Sequence, residues 1–231
     1  MRERTSRKIQ LCLVLAVGFL IPVVRSLCIF LGMWHPSAAT RQTFVFRISF
    51  QLAGLLCLYL VLSYQGRRFR DIGLPFAIRL NEIVHSFALF FGAMFGSAIL
   101  GVILVLIYVL LGRRWEPSLD HAAVFGTAFG ILPVLYVLLN PFHEELLVRA
   151  FLISETEWLY GSTALAVFLS VALQTSYHLY QGLPLALMHI PAFLLFSLYF
   201  VRTRRILPVV LAHMFMDVFA LALYFHRLHR S

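Results

Sequence analysis

Residues 136–153 read YVLLNPFHEELLVRAFLI. Glu144, Glu145 and Arg149 fall within six positions of one another, with apolar runs on either side. A charge at the centre of a membrane helix costs about 2.5–3.5 kcal/mol, so three of them unpaired would cost roughly 7–10 kcal/mol. That is as much as the net stability of a typical fold. The three groups must therefore pair with one another or face water, unless they mark a helix end solvated at the interface. Helix geometry favours pairing. Glu145 and Arg149 are four residues apart with the acid N-terminal to the base, the preferred order for an ion pair. Glu144 is rotated by about 100° from Glu145, as 3.6 residues per turn require. It is left free to face a cavity while its neighbour holds the arginine.

The surroundings fit a membrane. The chain of 231 residues is 61% hydrophobic and 13% charged, with mean hydropathy +0.88. A soluble domain is about half apolar and about a quarter charged. Disorder, a disulfide scaffold and an ordinary cytosolic enzyme are excluded together. The expected fold is an all-α, polytopic membrane helical bundle. Spans are predicted at 9–33, 43–64, 82–111, 121–153, 161–180, 184–201 and 206–226, each near the 20 or so residues a bilayer requires. This gives seven crossings, or eight if Pro133 and Pro141 divide the fourth span rather than kink it. Residues 1–120 are read as N-terminal helices and 121–226 as the motif-bearing core of a single membrane domain.

The net charge is +9, from 18 Arg and one Lys against ten acids. The arginines sit mostly between apolar runs, where they set topology and meet anionic headgroups, so nucleic acid is not an expected partner. With a cytoplasmic N-terminus, that side gathers Arg2, Arg4, Arg7, Lys8, Arg67, Arg68, Arg70, Arg79, Arg202, Arg204 and Arg205. The other side holds Arg41, Arg47, Arg113, Arg114, Arg227 and Arg230. This bias predicts the cell (inner, cytoplasmic) membrane with the N-terminus inside, and reads the basic start as an uncleaved signal-anchor. Cys12, Cys28 and Cys57 lie within the first two apolar stretches and read as small hydrophobes.

Two further spans carry histidine among apolar residues: His178 in ALQTSYHLYQG and His213 in LPVVLAHMFMDVFAL, with Asp217 one helical turn beyond His213. Buried polar groups need partners, and in a bundle the nearest partners are one another. Familiar peptidase patterns fail. HEELL begins a zincin motif, but Leu147 stands where the second histidine belongs. No GxSxG occurs, and Ser176 and His178, two apart, point to different faces of a helix. What remains is a carboxylate and a histidine able to deprotonate water together, with a second histidine and an Asx-type residue to stabilise an oxyanion.

EELLVR fits EExxxR, His178 fits a single-histidine second motif, and HMFMD fits Hxxx(N/D). In order and spacing these resemble the CAAX-protease and bacteriocin-processing (CPBP) family of intramembrane proteases. RTRRILPVVLAHMFMDV looks like its bacterial members. The resemblance covers about residues 121–226. It implies an intramembrane glutamic-type endopeptidase acting on a membrane-associated or C-terminal peptide within the lipid bilayer. Glu144 and His178 would activate the attacking water. Glu145, paired with Arg149, would position and support. His213 and Asp217 would occupy the oxyanion positions. No cofactor is required on this reading. Zinc stays an open alternative, with Glu144, His178 and His213 as its ligands. Two positions depart from the family pattern: Gln174 stands at the usual phenylalanine of FxxxH, and Asp217 stands where CAAX-cleaving members often carry asparagine.

Span positions put His178 toward the outer side, Glu144 nearer the inner half and His213 near the middle. Three catalytic groups must share one depth, so either the fourth span breaks near Pro141 or the fifth is longer and tilted. Of the remaining groups, Arg25 is read as snorkelling or pairing with an acid from another helix. His85, His121, His226 and His229 are read as interfacial. His143 either tunes Glu144 or makes a helix-end hydrogen bond, and His189 faces either packing or the cavity. Two other functions compete. A non-catalytic scaffold or immunity-type protein would keep the polar cluster for assembly. A transporter would show internal repeats and paired broken helices, and the sequence has neither.

Overall fold

A computed structural model describes residues 2–75, 77, 79–113, 121–127 and 130–228. Arg114, His229 and Arg230, together with the expected boundary at 120, lie outside the described residues. Every regular element among the described residues is a helix. In chain order these are α1 (Arg2–Phe30), α2 (Arg41–Tyr64), α3 (Leu80–Leu110), α4 (His121–Phe125) and α5 (Ile131–Glu144). A π-helical stretch, Glu145–Phe151, leads into α6 (Leu152–Tyr160). Then follow α7 (Thr163–His178), α8 (Leu183–Met188), α9 (Ile190–Thr203) and α10 (Leu207–Leu228).

Six helical stretches among the described residues are long and apolar enough to cross a membrane: Arg2–Phe30, Arg41–Tyr64, Leu80–Leu110, Ile131–Tyr160, Leu183–Thr203 and Leu207–Leu228. The chain is a multi-pass membrane protein. The span expected at 161–180 appears as α7, whose 16 residues rise about 24 Å at 1.5 Å each. That falls short of the roughly 30 Å hydrocarbon core. Lipid-facing surfaces are apolar, as on α3, where Phe91, Phe95, Val102 and Leu106 are exposed. The centre of the bundle is the π-helical stretch, where Leu147, Val148, Ala150 and Phe151 are fully buried.

The fourth span differs from the expectation of 121–153. It begins at Ile131 and runs to Tyr160, while His121–Phe125 is a separate short helix. Tertiary capping ends that short helix. The Arg47 guanidinium donates to the carbonyls of Ala123 and Val124, both at 2.8 Å, and the Tyr224 hydroxyl donates to the Gly126 carbonyl. Neither proline divides the span. Pro133 occupies the first turn of α5, where a missing N–H leaves no bond unmade. Pro141 lies inside α5, and the helix continues past it into the π-helical stretch. The alternative of eight crossings by division therefore falls. With the later start, Glu144 sits near the middle of its 30-residue rod, and the depth mismatch disappears.

One end of the bundle is laced by ion pairs. Glu155, fully buried, accepts from Arg7 at 3.0 Å and Arg67 at 2.5 Å. Arg204 meets Glu157, and Arg205 meets Glu82, both at 2.6 Å. Gly73 belongs to the same end. Its φ of 95° is left-handed, its carbonyl accepts from the Ile206 N–H, and a Cβ there would collide with the Arg204 carbonyl. Helices from the first half pack against those bearing the motifs: α1 on α7, α2 on α5, and α3 on α9 and α10.

Candidate functional site

The site is built where α5 passes into the π-helical stretch, and π-turns often occur at functional positions. His143, Glu144 and Glu145 are buried in succession. Glu145 and Arg149, both 0% exposed, form the expected ion pair at 2.5 Å. The same guanidinium lies over the rings of Phe193 and Phe196 of α9, and its second amino group donates to Gln174 Oε1. Arginine can only donate, so the Gln174 amide is orientated with its nitrogen outward. That nitrogen donates to Glu144 Oε2 at 3.3 Å. Tyr177 donates its hydroxyl to the same oxygen at 2.6 Å. Oε1 of Glu144 takes no hydrogen bond from any described residue.

Both histidines are orientated through Nδ1. His178 donates from Nδ1 to the Gln174 carbonyl at 2.8 Å, since a carbonyl only accepts. Its Nε2 then carries the lone pair. His213 shares its Nδ1 proton with Glu145 Oε1 at 2.6 Å, and its Nε2 lies 3.6 Å from Asp217 Oδ1. That last separation is an ion-pair distance, too long for a hydrogen bond. Asp217, 26% exposed at its side chain, accepts from Asn140 at 3.2 Å, and Asn140 accepts from Gln51 at 2.8 Å. Glu144 lies within electrostatic range of both His178 and His213.

All six expected residues thus converge: Glu144, Glu145 and Arg149 from one rod, His178 from α7, His213 and Asp217 from α10. Four partners were not anticipated in these roles. Gln174 stood out only as a departure from a motif, and the structure makes it the link between Arg149 and Glu144. Tyr177, Asn140 and Gln51 carried a signal of their own, because an amide or phenol inside an apolar span must find a partner.

Other candidates fall outside the site or at its edge. His143 makes no hydrogen bond through Nε2; its ring packs between Phe19 and Phe50, over Gly18 and Gly54. His189 bonds Gln181 at 3.0 Å and packs against His178 and Phe193. Arg25 has no carboxylate partner among the described residues and lies 5.0 Å over the Trp34 ring. His85 bonds the Tyr199 hydroxyl, and His121 stacks on Tyr224. The three cysteines are free thiols. Among the described residues, no group of three or more His, Cys, Asp or Glu is arranged to hold a metal ion.

Three helices of a membrane bundle thus contribute a buried acid, two orientated imidazoles and a buried arginine to one site. Residues 126–219, a little over two fifths of the chain, match the family model described as type II CAAX prenyl endopeptidase Rce1-like. The matched segment contains all six converging residues, so the likeness to CAAX-type endopeptidases falls on the part of the chain that carries the site. The chain matches no curated protein and no solved structure.

Proposed function

We propose that the chain is a glutamic-type intramembrane endopeptidase, cutting a peptide bond of a membrane-associated or C-terminal peptide with water activated by Glu144 and His178. What carries this reading is one pairing: Glu144, with Oε1 free of hydrogen bonds from the described residues, lies within electrostatic range of a histidine whose Nε2 is left with its lone pair. Water placed between them donates one hydrogen bond to each. Glu144 takes a proton as the water oxygen attacks the carbonyl carbon. His213, protonated on both nitrogens, donates Nδ1–H to Glu145 and Nε2–H to the developing oxyanion, and Asp217 stands beside it. The carbonyl–nitrogen bond then breaks as Glu144 returns its proton to the leaving amine. The products are a carboxylic acid and an amine, and the acid's remaining proton passes to His178 Nε2 as the carboxylate leaves. Arg149 and the protonated His213 together balance Glu144 and Glu145, so no uncompensated charge is left in the core. The basic bias of the Arg7, Arg67 and Arg204 end supports a cytoplasmic N-terminus in the cell membrane.

The test compares peptide termini in membranes of cells expressing wild type, Glu144→Ala or His178→Ala. All three must be at equal level and monodisperse after detergent extraction. Termini produced by wild type alone are expected, with rates in either variant lower by a factor of at least about 100. Identical termini in a host containing the natural partners would overturn the proteolytic reading in favour of a scaffold or immunity-type protein.

A further inference from the structure

Gln174 and Tyr177 lie one turn and one residue before His178, on the helix that faces Glu144. Both donate to one oxygen of that carboxylate. Two independent constraints fix these donors. Arg149, which can only donate, takes Gln174 Oε1 and so forces the amide nitrogen toward Glu144. Phe19 of α1 stacks on the Tyr177 ring at 5.1 Å between centroids and packs at a tilt against His143 at 5.2 Å, holding the phenol in place. Gln174 is fully buried and Tyr177 nearly so, so a freely rotating alternative is closed to both.

We infer that Gln174 and Tyr177 are positioning residues that clamp Oε2 of Glu144, so that only Oε1 is presented to water. The inference rests on the reading of Glu144 as the base and adds to it. Arg149 acquires a second task. Beyond neutralising Glu145, it orientates the amide that holds the other glutamate. The two carboxylates of the motif, which point to different faces of one helix, are thereby joined through α7. A phenylalanine at position 174 has no such link to offer, so the departure from FxxxH at this position is a polar clamp in its own right. Carboxylate orientation of this kind acts on the chemical step, where a misplacement of about 1 Å can cost about 100-fold.

The experiment uses the full chain in membranes and in detergent, with Tyr177→Phe, Gln174→Met and the double variant. Tyr177→Phe is the deciding variant, because it removes one hydroxyl and leaves Arg149 untouched; Gln174→Met strips a partner from a buried cation and is the one that can fail to fold. The first readout is the carboxylate infrared band assigned to Glu144 by its loss in Glu144→Gln. The second is the rate at which wild-type-specific termini appear. The band is expected to move in Tyr177→Phe, with the rate down by about 10- to 100-fold at unchanged melting temperature. The double variant is expected to lose more than the product of the single losses, since each donor partly covers for the other. An unmoved band overturns the clamp, and so does a moved band with wild-type rate, which would make the contacts merely structural. If Glu144→Ala itself keeps the wild-type termini, the assignment of Glu144 as base has failed, and the infrared arm still reports separately on the clamp.

Discussion

At the scale of single residues, the site is a relay in which each group fixes the orientation of the next. Gln51, Asn140 and Asp217 form one arm, ending beside His213; Glu145, Arg149, Gln174 and Tyr177 form the other, ending on Glu144. Asp217 closes the first arm, and an ionised carboxylate beside a developing oxyanion would be repulsive. Asn at this position can still accept from the Asn140 amide through its oxygen, while its own NH2 replaces Oδ1 near His213. Asp217→Asn is therefore expected to cleave within about tenfold of wild type, a change of under roughly 1.4 kcal/mol in the barrier. Rates of terminus production measure this, and abolished cleavage would contradict a simple role beside the oxyanion.

Among the elements, α5 and its π-helical continuation are the axle on which α1, α2, α7, α9 and α10 are set. Close approach depends on two glycines inside helices. A Cβ on Gly54 would lie 2.6 Å from His143 Nε2, and one on Gly18 would run into the Leu147 side chain. Gly54→Ala is expected to destabilise the bundle by about 1–3 kcal/mol through overpacking. Thermal unfolding in detergent reads this out, and His143→Ala in the same chain should recover part of the loss. The Glu145–Arg149 pair was legible in the sequence, since four-residue spacing and charge order suffice to predict it. So were the motif residues and six rods of spanning length. The start of the fourth span was not, because its limit is set by Arg47 and Tyr224 reaching in from other helices. Nor was the α2–α5–α10 arm: Gln51 and Asn140 are 89 residues apart, Asn140 and Asp217 are 77, and helix rotation decides whether such groups meet.

At the scale of the whole molecule, charged groups among the described residues gather mainly in the central relay and in the ion pairs at one end. Glu155 ties α1 and the turn after α2 to α6 through Arg7 and Arg67. Removing it leaves two arginines without their shared acid. Glu155→Ala is expected to cost about 3 kcal/mol, near the low end for a broken buried pair because both guanidiniums reach solvent. Unfolding in detergent, with limited proteolysis of α1, would detect the loss, and wild-type stability would refute the clamp at that end. The relay also bears on biogenesis. The rod carrying Glu144, Glu145 and Arg149 meets the lipid as a poor solute until α7 and α10 arrive with their polar partners, and both are made later. Lateral release of this rod into the bilayer is therefore tied to completion of the chain. The polypeptide should leave the translocation machinery as a group of helices rather than one by one. A ribosome-bound chain ending after α6 should stay accessible to crosslinkers on that machinery, while the full chain does not.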